Sequence, residues 1–180
     1  MAICSDAISA AIERNCNNNV GGLKAIYITD YENVTGVTDT EPDGVIDTIT
    51  MASTTQFFDF YFAKNSAMYE ENLVNNLEIG STYFEQKVAF SIPYRDELRR
   101  EGIKELVSGQ KKLMVLLQDN NDNYWLYFEK EGGIVTTLTG GSAAAKGELN
   151  GYAIEITADS VSQAAVVDSS IVAALLVPAV

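Results

Sequence analysis

Apolar and polar residues alternate along much of this chain, and the alternation is most sustained between Tyr69 and Ile92. In the second half of that stretch Thr82, Phe84, Gln86, Val88, Phe90 and Ile92 share one parity, and Ser81, Tyr83, Glu85, Lys87, Ala89 and Ser91 share the other. Alternate residues of a strand point to opposite faces, so the first set is predicted to meet a core and the second to meet water. The first half repeats the split, with Leu73, Leu77 and Ile79 opposed to Asn72, Asn76 and Glu78, and Gly80-Ser81 supplies the turn. The stretch therefore predicts a β-hairpin. Its arms of about ten residues exceed the usual strand length of about 5–6, so they are expected to project beyond a compact domain.

The remaining elements follow from similar patterns. Residues 6–15 (DAISAAIERN) place Ile8, Ala11 and Ile12 on one helical face behind a Ser5 cap, so residues 1–20 are expected to form a short helix or an arm. Lys24–Thr29 (KAIYIT) predicts the first strand, and residues 44–51 (GVIDTITM) a second beyond a polar loop. Residues 55–63 (TQFFDFYFA) predict a third, with Phe58, Phe60 and Phe62 opposite Phe57, Asp59 and Tyr61. After Pro93, Asp96, Glu97 and Glu101 open a helix that closes with Lys104 and Gly109, and Leu98, Ile103, Leu106 and Val107 form its apolar stripe. Residues 111–129 predict a second hairpin around the polar turn NNDN, with Trp125 and Tyr127 on one face and Tyr124, Leu126 and Phe128 on the other. A Gly-, Ser- and Ala-rich loop then leads to the strand GYAIEIT, and residues 161–180 are expected to form a final strand or an arm. The count is about seven or eight strands and one solid helix.

With 180 residues the chain is expected to form a single domain large enough to bury a core. The apolar run IVAALLVPAV is too short to span a bilayer, and the first residues lack the pattern of a secretory signal, so synthesis in the cytoplasm and no membrane partner are expected. A net charge of −13 repels phosphates and anionic lipids, which argues against gripping nucleic acid. It does not argue against a wall past which nucleic acid slides.

Candidate chemistry is thin. The chain contains no histidine, so neither an imidazole-based triad nor an imidazole metal ligand can be assembled. Cys4 and Cys16 alone make neither a disulfide scaffold nor a zinc site. The carboxylate pairs Glu70-Glu71 and Glu97 with Glu101 are read as solvated faces. In DTEPDGVIDTIT, Asp39, Glu41, Asp43, Gly44, Ile46 and Asp47 match the early positions of a calcium loop, but Thr50 stands where a bidentate Glu is needed. It is read as an acidic turn. The carboxylates of DNNDN (119–123) are likewise assigned to a hairpin turn, and Trp125, Tyr124 and Tyr127 to packing before sugar binding. No catalytic residue, metal or cofactor is expected, and an enzyme is the least supported class.

The order of these segments resembles a family of bacteriophage major tail tube proteins. The residues that carry the likeness are CNNNVGGLKAIYITDYENV near the start, YFEQKVAFSIP, a helix with paired basic residues, and LMVLLQDNNDNYWLYFEKEGG. GELNGYAIEITAD and a closing AAVVD complete it. The resemblance implies a mainly-β, tail-tube-like fold, a β-sandwich or barrel with one flanking α-helix and a long β-hairpin, similar to tubes of contractile tails and type VI secretion. It implies hexameric rings that stack into a hollow virion tube, with other tail proteins as further partners, through which DNA passes without specific binding. The polar hairpin face then supplies candidates for the channel lining: Asn72, Asn76, Glu78, Glu85, Lys87 and Ser91. The alternatives are a capsid-decorating or tail-completion virion protein and a carbohydrate-binding β-sandwich module. The DTEPDG insertion and the apolar C-terminus are not explained by the likeness.

Overall fold

A computed structural model describes residues 12, 19–40, 44–78, 80–142, 144–145 and 148–177. Strand β1 (Leu23–Asp30) leads through a single 3-10 turn to β2 (Val34–Thr38), and β3 (Val45–Ile46), β4 (Thr48–Met51) and β5 (Phe58–Asp59) follow. The long hairpin is β6 (Met68–Asn76) and β7 (Ser81–Pro93), and α1 (Glu97–Val107) comes next. Then come β8 (Leu113–Asp119), β9 (Tyr124–Tyr127), β10 (Ile134–Ser142), β11 (Asn150–Ser160), β12 (Ala165–Val167) and α2 (Ser169–Leu175). The fold is mainly β with a flanking helix, as the resemblance implied.

The strands form a six-stranded sheet ordered β3-β12-β9-β8-β1-β5, a four-stranded sheet ordered β10-β11-β7-β6, and a two-stranded ribbon of β2 and β4. Every residue of β8 is buried, which explains why LMVLLQD is a nearly continuous apolar run rather than an alternating one. One face of the six-stranded sheet (Ile26, Ile28, Leu113, Val115, Leu117) packs against Val88, Phe90, Ile92, Tyr152, Ile154 and Ile156 of the four-stranded sheet. Ile103 and Leu106 of α1 complete that core. The other face (Ile46, Met114, Leu116, Leu126) is covered by Ile49, Phe57 and the α2 residues Val172 and Leu175. The chain is thus built in three layers.

Several expectations are corrected. The second strand is divided by Asp47: Val45–Ile46 pair with β12, whereas Thr48–Met51 pair with β2, which the polar composition of residues 34–38 concealed. Of residues 55–63 only Phe58 and Asp59 form a strand. Phe57 is fully buried in the second core while Phe60 and Phe62 lean on the first, which keeps their expected opposition, but Phe58 is 54% exposed. Leu98 of the expected helical stripe is 82% exposed, since only Ile103 and Leu106 reach the core. Strand β10 was missed because Ile134–Thr139 does not alternate and its end, Gly140–Ser142, falls in the Gly-, Ser- and Ala-rich loop, yet it pairs along β11. The C-terminal segment is neither a simple strand nor a free arm as far as Val177. After β12 the carboxylate of Asp168 accepts from the Ser170 N–H (2.8 Å) and caps α2, which folds back on its own core. The expected N-terminal helix and both cysteines lie outside the described residues, as do Pro178–Val180.

Phe128 was expected to share the face of Tyr124 and Leu126, but it packs in the first core beside Tyr127. The reason is local: β9 ends at Tyr127, and Phe128 takes φ +66°, a left-handed conformation that redirects its side chain. Its N–H donates to Oε1 of buried Gln86 (2.9 Å). Gln86 Nε2 in turn donates to Glu71 Oε1 (2.8 Å) and to the Ser162 carbonyl (3.3 Å), and the Ala164 N–H donates to the same Glu71 oxygen (2.5 Å). Glu71 is therefore a joint between the hairpin and the C-terminal segment, not part of a solvated face. Near the other end of the β7–β11 pair, a Cβ on Gly151 would lie 2.1 Å from the Ile92 carbonyl oxygen, so only glycine permits that approach.

Replacing Gln86 with Leu leaves the Phe128 N–H and the Glu71 carboxylate without this partner. We expect a loss of about 1–3 kcal/mol in folding stability, read as a lower urea midpoint with an unchanged slope. An unchanged midpoint would show that the joint contributes nothing.

Candidate assembly surface

The outer face of the four-stranded sheet collects most of the predicted lining residues. In β6 and β7, Glu70 lies opposite Lys87, Asn72 opposite Glu85, and Asn76 opposite Ser81. Directly opposed residues of an antiparallel pair share a face, so Asn72, Asn76, Glu85, Lys87 and Ser91 are brought onto one surface. Glu78 is not. Strand β6 ends at Asn76, and Glu78 sits in the hairpin turn, where its N–H donates to Asn76 Oδ1 (3.1 Å).

The register also adds residues that alternation alone did not assign. Strand β11 places Asp159 opposite Glu85, Thr157 opposite Lys87 and Glu155 opposite Ala89, while β10 adds Thr137 opposite Glu155 and Thr139 opposite Ala153. The alternation of GYAIEIT marked Glu155 as facing away from its apolar neighbours. Only the pairing of β11 with β7 shows that it joins the hairpin face. Lys87 Nζ lies 2.8 Å from Glu155 and 4.0 Å from Glu70. The hydrogen bond to Glu155, with the charges of Glu155 and Glu70, raises the Lys87 pKa above its ordinary value against a smaller desolvation effect. Four carboxylates (Glu70, Glu85, Glu155, Asp159) thus stand against one ammonium. The face is acidic, and its remaining members include short hydroxyl and amide side chains.

Among the described residues, each margin of this sheet is a nine-residue strand with a partner on one side only, β6 at one edge and β10 at the other. All pairings in the sheet are antiparallel, so with four strands the two edge strands run in opposite directions. Met68 and Leu73 on β6, and Ile134 and Leu138 on β10, are 40–59% exposed. The hairpin ends in Leu77, which is 86% exposed.

Other candidates resolve into turns and packing. Asp119 Oδ1 accepts from the backbone of Asn121 and Asn123 (both 2.8 Å), and its Oδ2 accepts from the Asn123 side chain (3.0 Å) and from the indole of Trp125 (3.4 Å). Trp125 leans on the first core and is not an open platform. In the acidic turn Asp39 accepts from the Gly44 N–H (2.9 Å), and Asp47 accepts from the Thr40 backbone (3.1 Å) and hydroxyl (3.0 Å). Glu41 and Asp43 lie outside the described residues. Among the described residues no group of three or more acidic, Cys or His side chains is placed to hold a metal.

The class defined by fold and surface is a mainly-β sandwich that carries a two-edged, acid-faced sheet and an overhanging hairpin. Comparison of the chain with protein-family models, curated proteins and solved structures finds no match.

Burial pushes the Asp119 carboxyl up, but the hydrogen bonds from Asn123, Trp125 and Asn121 outweigh it and hold the group below its ordinary value. A depressed folded-state pKa contributes stability above the unfolded value of about 3.9, and that stability is lost as pH falls through the lower folded value. Acid titration of the wild type, followed by fluorescence of Trp125, should show this loss. Asp119→Asn should be less stable at neutral pH and should show a shallower acid dependence; an identical acid profile would remove Asp119 from the account.

Proposed function

We propose that this chain is a structural, non-enzymatic subunit of a phage tail tube, in which copies join edge to edge into a ring and rings stack around a channel for DNA. The observation that carries the reading is the pair of unsatisfied, oppositely directed edges on one sheet. Placing β10 of one copy beside β6 of the next continues the antiparallel alternation without interruption. Closing the series into a barrel removes both exposed edges of this sheet, the usual solution to a surface that would otherwise aggregate. The exposed apolar residues on β6 and β10 become buried in the process.

In that arrangement the acidic face lines the channel. Like charge keeps a polyanion from adhering, so DNA passes without specific recognition. Six copies per ring, residence in the virion tail and contact with other tail proteins are taken from the resemblance.

Negative-stain electron microscopy across a concentration series tests the reading directly. Hollow rings or tubes are expected, and Leu138→Lys on the β10 edge should shift the population to single subunits. A wild type that stays dispersed at every concentration would overturn the proposal. In tubes that do form, Glu85→Lys with Asp159→Lys should leave assembly intact and slow DNA ejection. Normal ejection from that variant would remove this face from the channel.

A further inference from the structure

The two ends of β7 carry surfaces of opposite character. At its start lies the hairpin turn, with Leu73 and Leu77 59% and 86% exposed. Between residues 65 and 86 the only charged side chains are Glu70, Glu71, Glu78 and Glu85. Just past its other end lie Tyr94 and Leu98, 64% and 82% exposed. Six of the chain's 12 basic residues fall between 95 and 112 (Arg95, Arg99, Arg100, Lys104, Lys111 and Lys112), against four carboxylates (Asp96, Glu97, Glu101 and Glu105), so this segment carries a net charge of +2. A strand of 13 residues separates the two ends, which is about 40 Å at the usual rise per residue.

The basic end is rigidly presented. Tyr94 adopts φ +70°, a conformation unusual for an aromatic residue, and is held there by its N–H donating to the Asn150 carbonyl (2.7 Å). The Arg99 guanidinium sits 5.6 Å from the centre of the Tyr94 ring and pairs with the N-cap carboxylate Asp96. Arg95 lies over Tyr152 at 5.3 Å. Among the described residues, neither Arg95 nor Arg100 makes an ion pair within the subunit, and neither Glu78 nor Glu85 does. Tyr and Arg are residue types enriched among the anchors of protein contacts, and exposed Leu98 adds apolar area beside them.

We propose that the hairpin turn of one copy, through Leu77 and Glu78, docks on the Tyr94–Leu98–Arg100 corner of a second copy. Apolar surface meets apolar surface, and an unpaired carboxylate meets unpaired guanidinium groups. The two patches are different and lie at opposite ends of one strand, so the contact is heterologous and leaves a free end on each side. It therefore propagates along the strand direction. On the tube reading it is the contact that stacks one ring on the next, and in that role it rests on that reading.

The test uses the full chain. Leu77→Asp and Leu98→Asp change exposed side chains, so folding is preserved; each should give rings of unchanged diameter with at least a tenfold loss of stacked tubes by electron microscopy and sedimentation. Glu78→Arg and Arg100→Glu should each weaken stacking, and the two together should restore it. In a Cys4→Ser, Cys16→Ser background, Leu77→Cys with Leu98→Cys should give an oxidised ladder beyond the dimer on a non-reducing gel. Tubes formed normally by the Asp variants, or no ladder from assembled rings, would overturn the docking while leaving the ring reading intact. Single subunits from Leu77→Asp would also overturn it, because the turn would then serve ring closure. A wild type that never assembles would overturn both.

Discussion

The structure depends on one constraint: β8 is apolar on both faces, so the sheet it centres must be covered twice. Met114, Val115, Leu116 and Leu117 are all at most 2% exposed, and burying side chains of this size contributes about 1.5–3 kcal/mol each. The four-stranded sheet covers one face. The second needs a separate layer, and the chain supplies it by folding α2 back and laying Ile49 and Phe57 beside it. The apolar C-terminal segment through Leu176 is consumed in this cover, which removes it from the candidates for an intersubunit arm.

The same constraint explains why the hairpin overhangs. Strand β8 has 7 residues and β7 has 13. Burial of the core-facing parity on β7 begins at Gln86, so the residues before it extend past the opposing sheet. Gln86 marks that boundary. It is the point at which the core face changes from hydrocarbon to hydrogen bonds, and it ties the Phe128 backbone, Glu71 and the C-terminal segment together. Beyond it Leu73 and Leu77 have no cover within the subunit.

Electrostatics divides the surface into regions with separate uses. The sheet face is acidic with one lysine held between two glutamates, and residues 95–112 after β7 carry half of the basic residues with four carboxylates among them. Open backbone edges, an acidic face and two unlike ends are three distinct surfaces on one molecule; in the proposed tube they would face around the ring, into the channel and along the axis.

Period-2 alternation was enough to locate β1, β7, β9 and much of β11, and the helix signals at Asp96 and Gly109 placed α1. The face shared by Asn72, Asn76, Glu85, Lys87 and Ser91 was also legible, because parity within a strand is a local property of the backbone. Whatever depends on pairing was not. Glu155 and Asp159 join that face only through the β7–β11 register, Glu78 leaves it because β6 ends two residues earlier, and Glu71 becomes a joint only when Gln86 and Ala164 reach it. Strand β10 opens on strand-forming Ile134-Val135-Thr136-Thr137 but lacks an apolar/polar alternation, and it and helix α2 are fixed by the neighbours they pair with and cover. Parity also separated Phe57 from Phe60 and Phe62, but not that Phe58 would stay exposed, because that depends on which elements cover the sheet edge. Local sequence determined which residues could share a face; the tertiary structure decided which faces would meet, because strand pairing and burial act between residues far apart in the chain.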